Sequence, residues 1–184
     1  MSPSEPSPHS EQALPLAGSV ELLDVTEQVL EALLGLALTD AAADEVTPPL
    51  GATPGWNEER ISWFRDYHRA AAAGLDSPAS QKSWAVSFGG RVAGSIRLKR
   101  AGTTPSGMAS LETGMWLGRS FRGQGIGREA LRLVHAVARG TGASVLQAET
   151  SAGNTAAQAL LRSAGAELAG DGLSPTVTAR INLR

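Results

Sequence analysis

The chain has 184 residues, of which 42% are hydrophobic, and this size predicts one domain with a single core. Its formal net charge of −2 provides no broad basic field, so the composition argues against binding to DNA or RNA. The sequence contains no cysteine, which excludes disulfides, thiolate catalysis and zinc–thiolate sites and fits a reducing cytoplasm.

Metal binding and membrane insertion find no support in the sequence either. The three histidines, His9, His68 and His135, lack the spacing of metal ligands, so no metal site is predicted. No apolar run reaches the roughly 18 residues that a membrane-spanning helix needs, and the N-terminus lacks a basic segment followed by an apolar one. We therefore expect a soluble, cytoplasmic protein without membrane contacts.

The N-terminal third of the chain predicts a disordered lead, a short strand and two helices. Residues 1–16 are rich in proline and serine and have little to bury, so we expect disorder there and a single domain over residues 17–184. The run "SVELLDV" predicts a strand. Thr26 then caps an amphipathic helix, and Asn57 caps a second helix after a loop rich in proline and glycine.

The hydrophobic period then changes to two, which is typical of strands. Two alternating runs flank Gly89-Gly90 and predict a β-hairpin with a two-residue turn. The segment "SLETGMWL" predicts a fourth strand. Its two faces are expected to present Leu111, Thr113, Met115 and Leu117 on one side and Glu112, Gly114 and Trp116 on the other.

The C-terminal part begins with the glycine-rich turn "RGQGIG" at residues 122–127, followed by a helix to about Arg139. The buried face of this helix is predicted to consist of Ile126, Ala130, Leu133, Val134 and Val137. A strand "ASVLQAE", a helix capped by Asn154 and a closing strand "TVTARINL" complete the order. This order predicts a mixed α/β sandwich with helices on both faces of the sheet.

A glycine-rich turn that opens a helix is typical of a phosphate site, because free backbone N–H groups and the helix dipole favour an anion. A P-loop would need lysine and serine or threonine where Gln124 and Gly125 stand. A dinucleotide fingerprint would need its third glycine at Arg128, whereas Gly127 comes one place early. Neither pattern fits, although a different nucleotide binder remains one hypothesis.

What remains is the pattern Arg122-x-x-Gly125-x-Gly127 between a strand and a helix. It resembles the acyl-CoA-binding motif of the GNAT superfamily of N-acetyltransferases, and the resemblance in element order extends from about residue 20 to the end. The stretches "LETGMWLGRSFRGQGIGREAL" and "NTAAQALLRSAGA" are most similar to the branch of ribosomal-protein N-terminal (alanine/serine) acetyltransferases. The resemblance implies an α/β (α+β) fold with a mixed, mostly antiparallel central sheet of about six or seven strands.

The same resemblance implies acetyl-CoA as cosubstrate and no metal. The CoA pyrophosphate would lie on the backbone N–H groups from Gln124 to Arg128, and the pantetheine arm would pair with the end of the fourth strand. Asn154 would contact the cofactor as well as cap its helix. The complete set of cofactor-binding residues implied is Met115, Trp116, Leu117, Arg122, Gly123, Gln124, Gly125, Ile126, Gly127, Arg128 and Asn154.

The implied reaction is the transfer of an acetyl group from acetyl-CoA to a primary amine, either a protein N-terminus or a small-molecule amine. Glu112 is the first candidate for the catalytic base, because related enzymes hold a glutamate there that acts through water. Glu149, Asp44 and Glu45 are the weaker alternatives. The related branch often forms dimers, so a homodimer is one expected assembly.

Two positions depart from the family pattern. Leu161 stands where many members have a tyrosine that protonates the leaving thiolate, and Ala166 replaces the usual phenylalanine. A non-catalytic CoA-binding or sensing module of the same fold is therefore the alternative function.

The acceptor pocket is expected between the first two helices and the end of the fourth strand. The acidic residues Asp40, Asp44 and Glu45 would lie near it and attract a cationic acceptor. Aromatic residues expected to line it are Trp56, Trp63, Tyr67 and Trp84.

Overall fold

The structure, a computed structural model, describes residues 18–170, 172 and 174–184, so the predicted disordered lead lies outside the described residues. These residues form seven strands: β1 (Val20–Asp24), β2 (Gln81–Phe88), β3 (Arg91–Thr103), β4 (Ala109–Leu117), β5 (Val145–Ser151), β6 (Glu167–Ala169) and β7 (Thr176–Asn182). They also form five α-helices: α1 (Glu27–Asp40), α2 (Ala43–Val46), α3 (Glu58–Ala72), α4 (Ile126–Gly140) and α5 (Thr155–Ser163).

All seven strands belong to one sheet, in the order β1-β2-β3-β4-β5-β7-β6. Only β4 and β5 run parallel, and every other neighbouring pair is antiparallel. The parallel pair needs a crossover, which α4 supplies between the two strands. The predicted mixed, mostly antiparallel sheet of six or seven strands is confirmed.

Three of the helices start where the sequence predicted, because a side chain caps each of them. The side-chain oxygens of Thr26, Asn57 and Asn154 each accept a hydrogen bond from the backbone N–H three residues further on. The sequence did not predict α2, whose four residues are too few to show a helical period.

The helices cover both faces of the sheet, as predicted. On one face α1 and α3 bury a cluster made of Val25, Leu30, Leu33, Leu34, Ala37, Phe64 and Ala85. On the other face α4 packs on β1, β3 and β4, and the buried cluster there includes Ile96, Leu98, Leu111 and Leu146. A smaller cluster joins α4 to α5 through Leu131 and Leu161.

The predicted buried face of α4 was wrong at its edge. Val137 is 40% exposed and Leu133 is half-buried, whereas Leu131 and Ala138 are buried instead. The helix contacts α5 as well as the sheet, so its apolar stripe is turned towards α5, and Leu131 packs in the cluster with Leu161. A helical period alone does not show this second contact.

The strands β4 and β5 separate before they end. β4 stays paired with β3 as far as Leu117, which lies opposite Gly94, but it pairs with β5 only from Ser110 to Thr113. Beyond that point β5 continues beside β7 as far as Ser151. A V-shaped opening therefore lies between the carboxyl ends of two strands in the middle of the sheet.

Gly94 fixes how β3 meets the end of β4. A Cβ atom at this position would collide with the backbone carbonyl oxygen of Trp116 and would lie 2.8 Å from the Cα of Leu117. The Trp116 carbonyl therefore points at β3. Because backbone groups of successive strand residues point to alternate sides, those of Met115 and Leu117 point into the opening.

We expect Gly94→Ala to destabilise the protein by about 2 kcal/mol, because backbone atoms of β4 would have to move to admit the methyl group. Gly35→Ala is the matched control, since this exposed helical glycine has no atom within 4 Å of an added Cβ and alanine should stabilise α1 by about 0.5–1 kcal/mol. Urea unfolding of both variants measures the difference. Equal stability of the two variants would contradict the close approach of β3 and β4.

Candidate active site

The opening between β4 and β5 continues into a groove of about 700 Å³ along the glycine-rich turn and the start of α5. Nine of the eleven residues predicted to bind the cofactor line this groove: Met115, Trp116, Leu117, Arg122, Gly123, Gly125, Gly127, Arg128 and Asn154. The other two lie beside it. The Gln124 side chain donates to the carbonyl oxygen of Ser120 at 2.7 Å, and Ile126 is buried in the core.

The turn leaves the N-terminus of α4 without a side-chain cap. Gly125 occupies the N-cap position with φ of +80°, in the left-handed region where a residue with a side chain is strained. The first N–H groups of α4 therefore point into the groove with no side chain to accept their hydrogen bonds. This is the geometry in which helices bind anions.

Gly125 and Gly127 are constrained in different ways. No protein atom lies within 4 Å of a Cβ built on Gly125, so glycine is needed there only for the left-handed conformation and not for lack of space. A Cβ on Gly127 would lie 3.2 Å from the Cε atom of Met115. Gly123 also has a positive φ, of +74°, so it too needs glycine for its conformation.

Carboxylates of α1 and α2 bind residues just before and at the start of the glycine-rich turn. Asp40 at the end of α1 accepts hydrogen bonds from the Ser120 hydroxyl at 2.6 Å and from its backbone N–H at 3.0 Å, which lower the pKa of Asp40. Glu45 of α2 forms a two-pronged pair with Arg122 at 3.1 and 3.2 Å. The hydrogen bond from Arg122 lowers the pKa of Glu45.

Arg122 also completes the end of β4. Its Nε and Nη2 atoms donate to the carbonyl oxygen of Leu117 at 3.0 and 2.9 Å. This carbonyl points into the opening, where β5 has already turned away. Arg122, predicted to bind the cofactor, therefore lines the groove while its guanidinium is paired with Glu45 and with the Leu117 carbonyl.

A second cavity, of about 420 Å³, lies between α3 and the face of the sheet that this helix covers. We call it the acceptor cavity. Its lining residues include Trp63, Phe64, Tyr67, His68, Gln81, Ser95, Arg97, Lys99 and Trp116. Both this cavity and the groove are lined by Glu45, Met115 and Trp116, so the two meet at the end of β4.

Two of the four aromatic residues predicted for the acceptor pocket line it. Trp63 and Tyr67 stack with ring centres 4.9 Å apart and form one wall. The prediction was wrong for the other two. Trp56 donates from its indole N–H to the carbonyl oxygen of Ala41, and Trp84 packs within the core on the other face of the sheet.

Glu112, the predicted catalytic base, lies on the same face of β4 as the acceptor cavity and is about one-third exposed. Its Oε1 atom is 2.5 Å from the Nη2 atom of Arg97. The Arg97 guanidinium lies over Gly114, where a Cβ would come within 3.2 Å of Nε. Its Nη1 atom is buried and has no hydrogen-bond partner among the described residues.

The sequence analysis did not identify Arg97, Lys99 or His68 as site residues. The alternation of β3 places Arg97 and Lys99 on one face, but only the packing of α3 over β2 and β3 makes this face the floor of a cavity. His68 is buried with its Nδ1 atom 3.0 Å from the Ser83 hydroxyl. Burial lowers the pKa of His68 to about 4, so the imidazole is neutral at pH 7.

One departure from the family pattern, Leu161, lies on α5. Leu161 is buried between α4, α5 and the sheet, and it lines a small cavity of about 210 Å³ at the base of the opening. Glu149 of β5 lines the same small cavity. Tyr67 lies across β4 in the acceptor cavity, where burial raises its pKa.

The sequence pattern of the family described as "Acetyltransferase (GNAT) domain" matches residues 20–167. The chain belongs to this family. A comparison with curated proteins gave no match. Neither a helix long and apolar enough to cross a bilayer nor a group of three potential metal-binding side chains occurs in the part of the chain that the structure describes.

Solved structures with the same fold include one ribosomal-protein acetyltransferase and two other proteins that are in complex with forms of coenzyme A. RimL, a ribosomal L7/L12 α-N-protein acetyltransferase in complex with coenzyme A, is 20% identical, with a TM-score of 0.68 over 89% of this chain and 93% of that one. Mycobacterium smegmatis RimJ in complex with CoA-disulfide is 18% identical, with a TM-score of 0.68 over 89% of this chain and 81% of that one.

A third neighbour is the Microcin C7 self-immunity acetyltransferase MccE in complex with acetyl-CoA and AMP. It is 16% identical, with a TM-score of 0.66 over 89% of this chain and 92% of that one. At these identities the likeness to all three structures is one of fold.

We expect protonation of His68 to destabilise the GNAT domain at acidic pH. The unfolded chain binds this proton below about pH 6.5 but the folded chain only below about pH 4, so stability falls by about 3 kcal/mol as the pH drops through this window. Urea unfolding at several pH values should show a shallower dependence for His68→Gln than for the unaltered protein. Parallel pH dependences would show that His68 is not buried in its neutral form.

Proposed function

We propose that this GNAT domain transfers an acetyl group from acetyl-CoA to a primary amine by direct attack of the amine on the thioester. The observation that supports this most is the meeting of two cavities at Met115 and Trp116, one leading to the uncapped start of α4 and the other to the acceptor face. RimL and MccE, which share the fold, are in complex with coenzyme A and acetyl-CoA.

In this proposal the pyrophosphate of CoA lies on the N–H groups from Gln124 to Arg128, where the dipole of α4 favours negative charge. The pantetheine arm runs along the backbone of Met115 and Leu117, which points into the opening. Asn154 accepts from the N–H of Ala157 at 3.0 Å through its Oδ1 atom, so its amide N–H groups remain available to the cofactor.

The acceptor amine enters from the acceptor cavity and attacks the thioester carbon near Met115. A carbon–nitrogen bond forms, the carbon–sulfur bond breaks, and CoA leaves as a thiolate. The N–H of Met115, directed into the opening, stabilises the negative charge that develops on the carbonyl oxygen. The amine passes its proton through water to Glu112, whose Oε2 atom makes no hydrogen bond to the described residues.

The leaving thiolate needs no tyrosine at position 161. A thiol with a pKa of about 8.5 is a good leaving group, and water that enters the groove can supply the proton. We include peptide N-termini among the proposed acceptors because the structural neighbour RimL acts on a ribosomal protein.

We expect Gly125→Ala to weaken CoA binding at least tenfold, because alanine at φ of +80° would displace the N–H groups that hold the pyrophosphate. Gly142→Ala is the matched control. Gly142 has φ of +79° and, like Gly125, no protein atom within 4 Å of an added Cβ, but it lies beyond the other end of α4. Isothermal titration with CoA measures both affinities. Equal losses in the two variants would contradict a CoA site at this turn.

We expect Glu112→Gln to lower kcat/KM at neutral pH by about 100-fold, because general base catalysis typically contributes this much. The deficit should shrink at high pH, where the free amine is already neutral. Glutamine can still accept the hydrogen bond from Arg97, so the fold should persist. Glu149→Gln on the neighbouring strand is the control and should retain most activity. Full activity of Glu112→Gln at every pH would remove Glu112 from the mechanism.

A non-catalytic CoA-binding module is the second candidate, favoured by the buried Leu161 in place of a proton donor. This candidate predicts CoA binding by calorimetry but no thiol release with any class of amine. Thiol release in the presence of acetyl-CoA and one amine would reject it.

A further inference from the structure

The floor of the acceptor cavity has a row of polar side chains on β3. Ser95, Arg97 and Lys99 lie on the same face of this strand, and all three line the cavity. Ser95 lies opposite Trp116, where the acceptor cavity meets the groove. Alternate residues of a strand are about 6.6 Å apart, so Arg97 and Lys99 follow Ser95 at about 7 Å and about 13 Å.

The positive charge of this row is only partly neutralised. Glu112 pairs with one nitrogen of Arg97 and leaves the Nη1 atom without a partner among the described residues. Lys99 lies opposite Glu112 in the sheet register, yet it forms no ion pair within the described part of the chain. The floor therefore has one cation, Lys99, that forms no ion pair with the described residues and is exposed to the solvent.

The carboxylates near the cavity are already engaged. Glu45 lines the cavity but pairs with Arg122, and Asp44 pairs with Arg60 at 2.7 Å. Asp40 binds Ser120, just before the glycine-rich turn. The expectation that these three acids attract a cationic acceptor therefore has no support in the structure.

We propose that the acceptor is a primary amine with a carboxylate about 7–13 Å from the reacting nitrogen, and that Lys99 and Arg97 bind this carboxylate. The inference rests on the proposed acetyl transfer. The nitrogen lies at the end of β4, the middle of the acceptor packs on Trp63 and Tyr67, and the carboxylate lies over β3.

Two sources provide this chemistry. One is a peptide N-terminus with an acidic side chain at its second or third residue, since an extended chain advances about 3.3 Å per residue. The other is a free small-molecule amine with a carboxylate at the far end. An acceptor that is cationic at this end would instead be repelled by Lys99 and Arg97 and lose affinity.

The experiment compares acetylation of matched short peptides that differ only in having Glu, Gln or Lys at the second residue, with amidated C-termini. An ω-amino carboxylic acid and its amide form the small-molecule pair. We expect kcat/KM for the carboxylate to exceed that for its amide by about tenfold in at least one pair, and the lysine peptide to be the poorest. Whichever pair shows the larger ratio identifies the source.

Lys99→Met should reduce the ratio of carboxylate to amide about tenfold, and Lys99→Glu should favour the lysine peptide. Arg162→Met, on an exposed position of α5 on the other side of the sheet, is the control for overall charge and should leave the ratio unchanged. The melting temperature of each variant verifies its fold. The preference of the unaltered protein for carboxylate over amide tests the proposal without any variant.

Equal kcat/KM for carboxylate and amide in both pairs, with acetylation intact, would overturn this inference and leave the proposed function standing. A preference that persists in Lys99→Glu would also overturn it. Failure to acetylate any acceptor would overturn the proposed function and this inference with it.

Discussion

The site depends on one constraint in the sheet: β4 is bound to β3 along its whole length but to β5 only as far as Thr113. The close approach of Gly94 to Trp116 holds the end of β4 against β3, so β4 cannot follow β5. Backbone groups of Met115 and Leu117 are left facing an opening in the middle of a sheet, where a strand would normally satisfy them. The uncapped start of α4 borders the same opening.

Paired charges give this opening its shape. Asp40 accepts two hydrogen bonds from Ser120, just before the glycine-rich turn, and Glu45 forms a two-pronged pair with Arg122, which fixes orientation as well as distance. Exposed pairs add little to overall stability, so their effect is on the position of the turn. These carboxylates are engaged, whereas Lys99 in the acceptor cavity forms no ion pair with the described residues.

Local features of the sequence predicted most of the fold. Thr26 and Asn154 mark helix starts because a cap is made within three residues, and Gly89-Gly90 marks a hairpin because both residues have positive φ. The turn at Gly125 was recognisable for the same reason. The partners of α4 and the cavity floor at Arg97 depend on how distant elements pack, which spacing along the chain does not record.

Glu45 occupies a position with consequences for both cavities. Its side chain lines the groove and the acceptor cavity, and its carboxylate is bound to Arg122. A molecule that shifts this carboxylate from one side alters the walls on the other side too. Such coupling is reciprocal: whatever factor the first molecule applies to the affinity of the second, the second applies to the first. One side chain can thus couple the occupancy of the groove to the occupancy of the acceptor cavity.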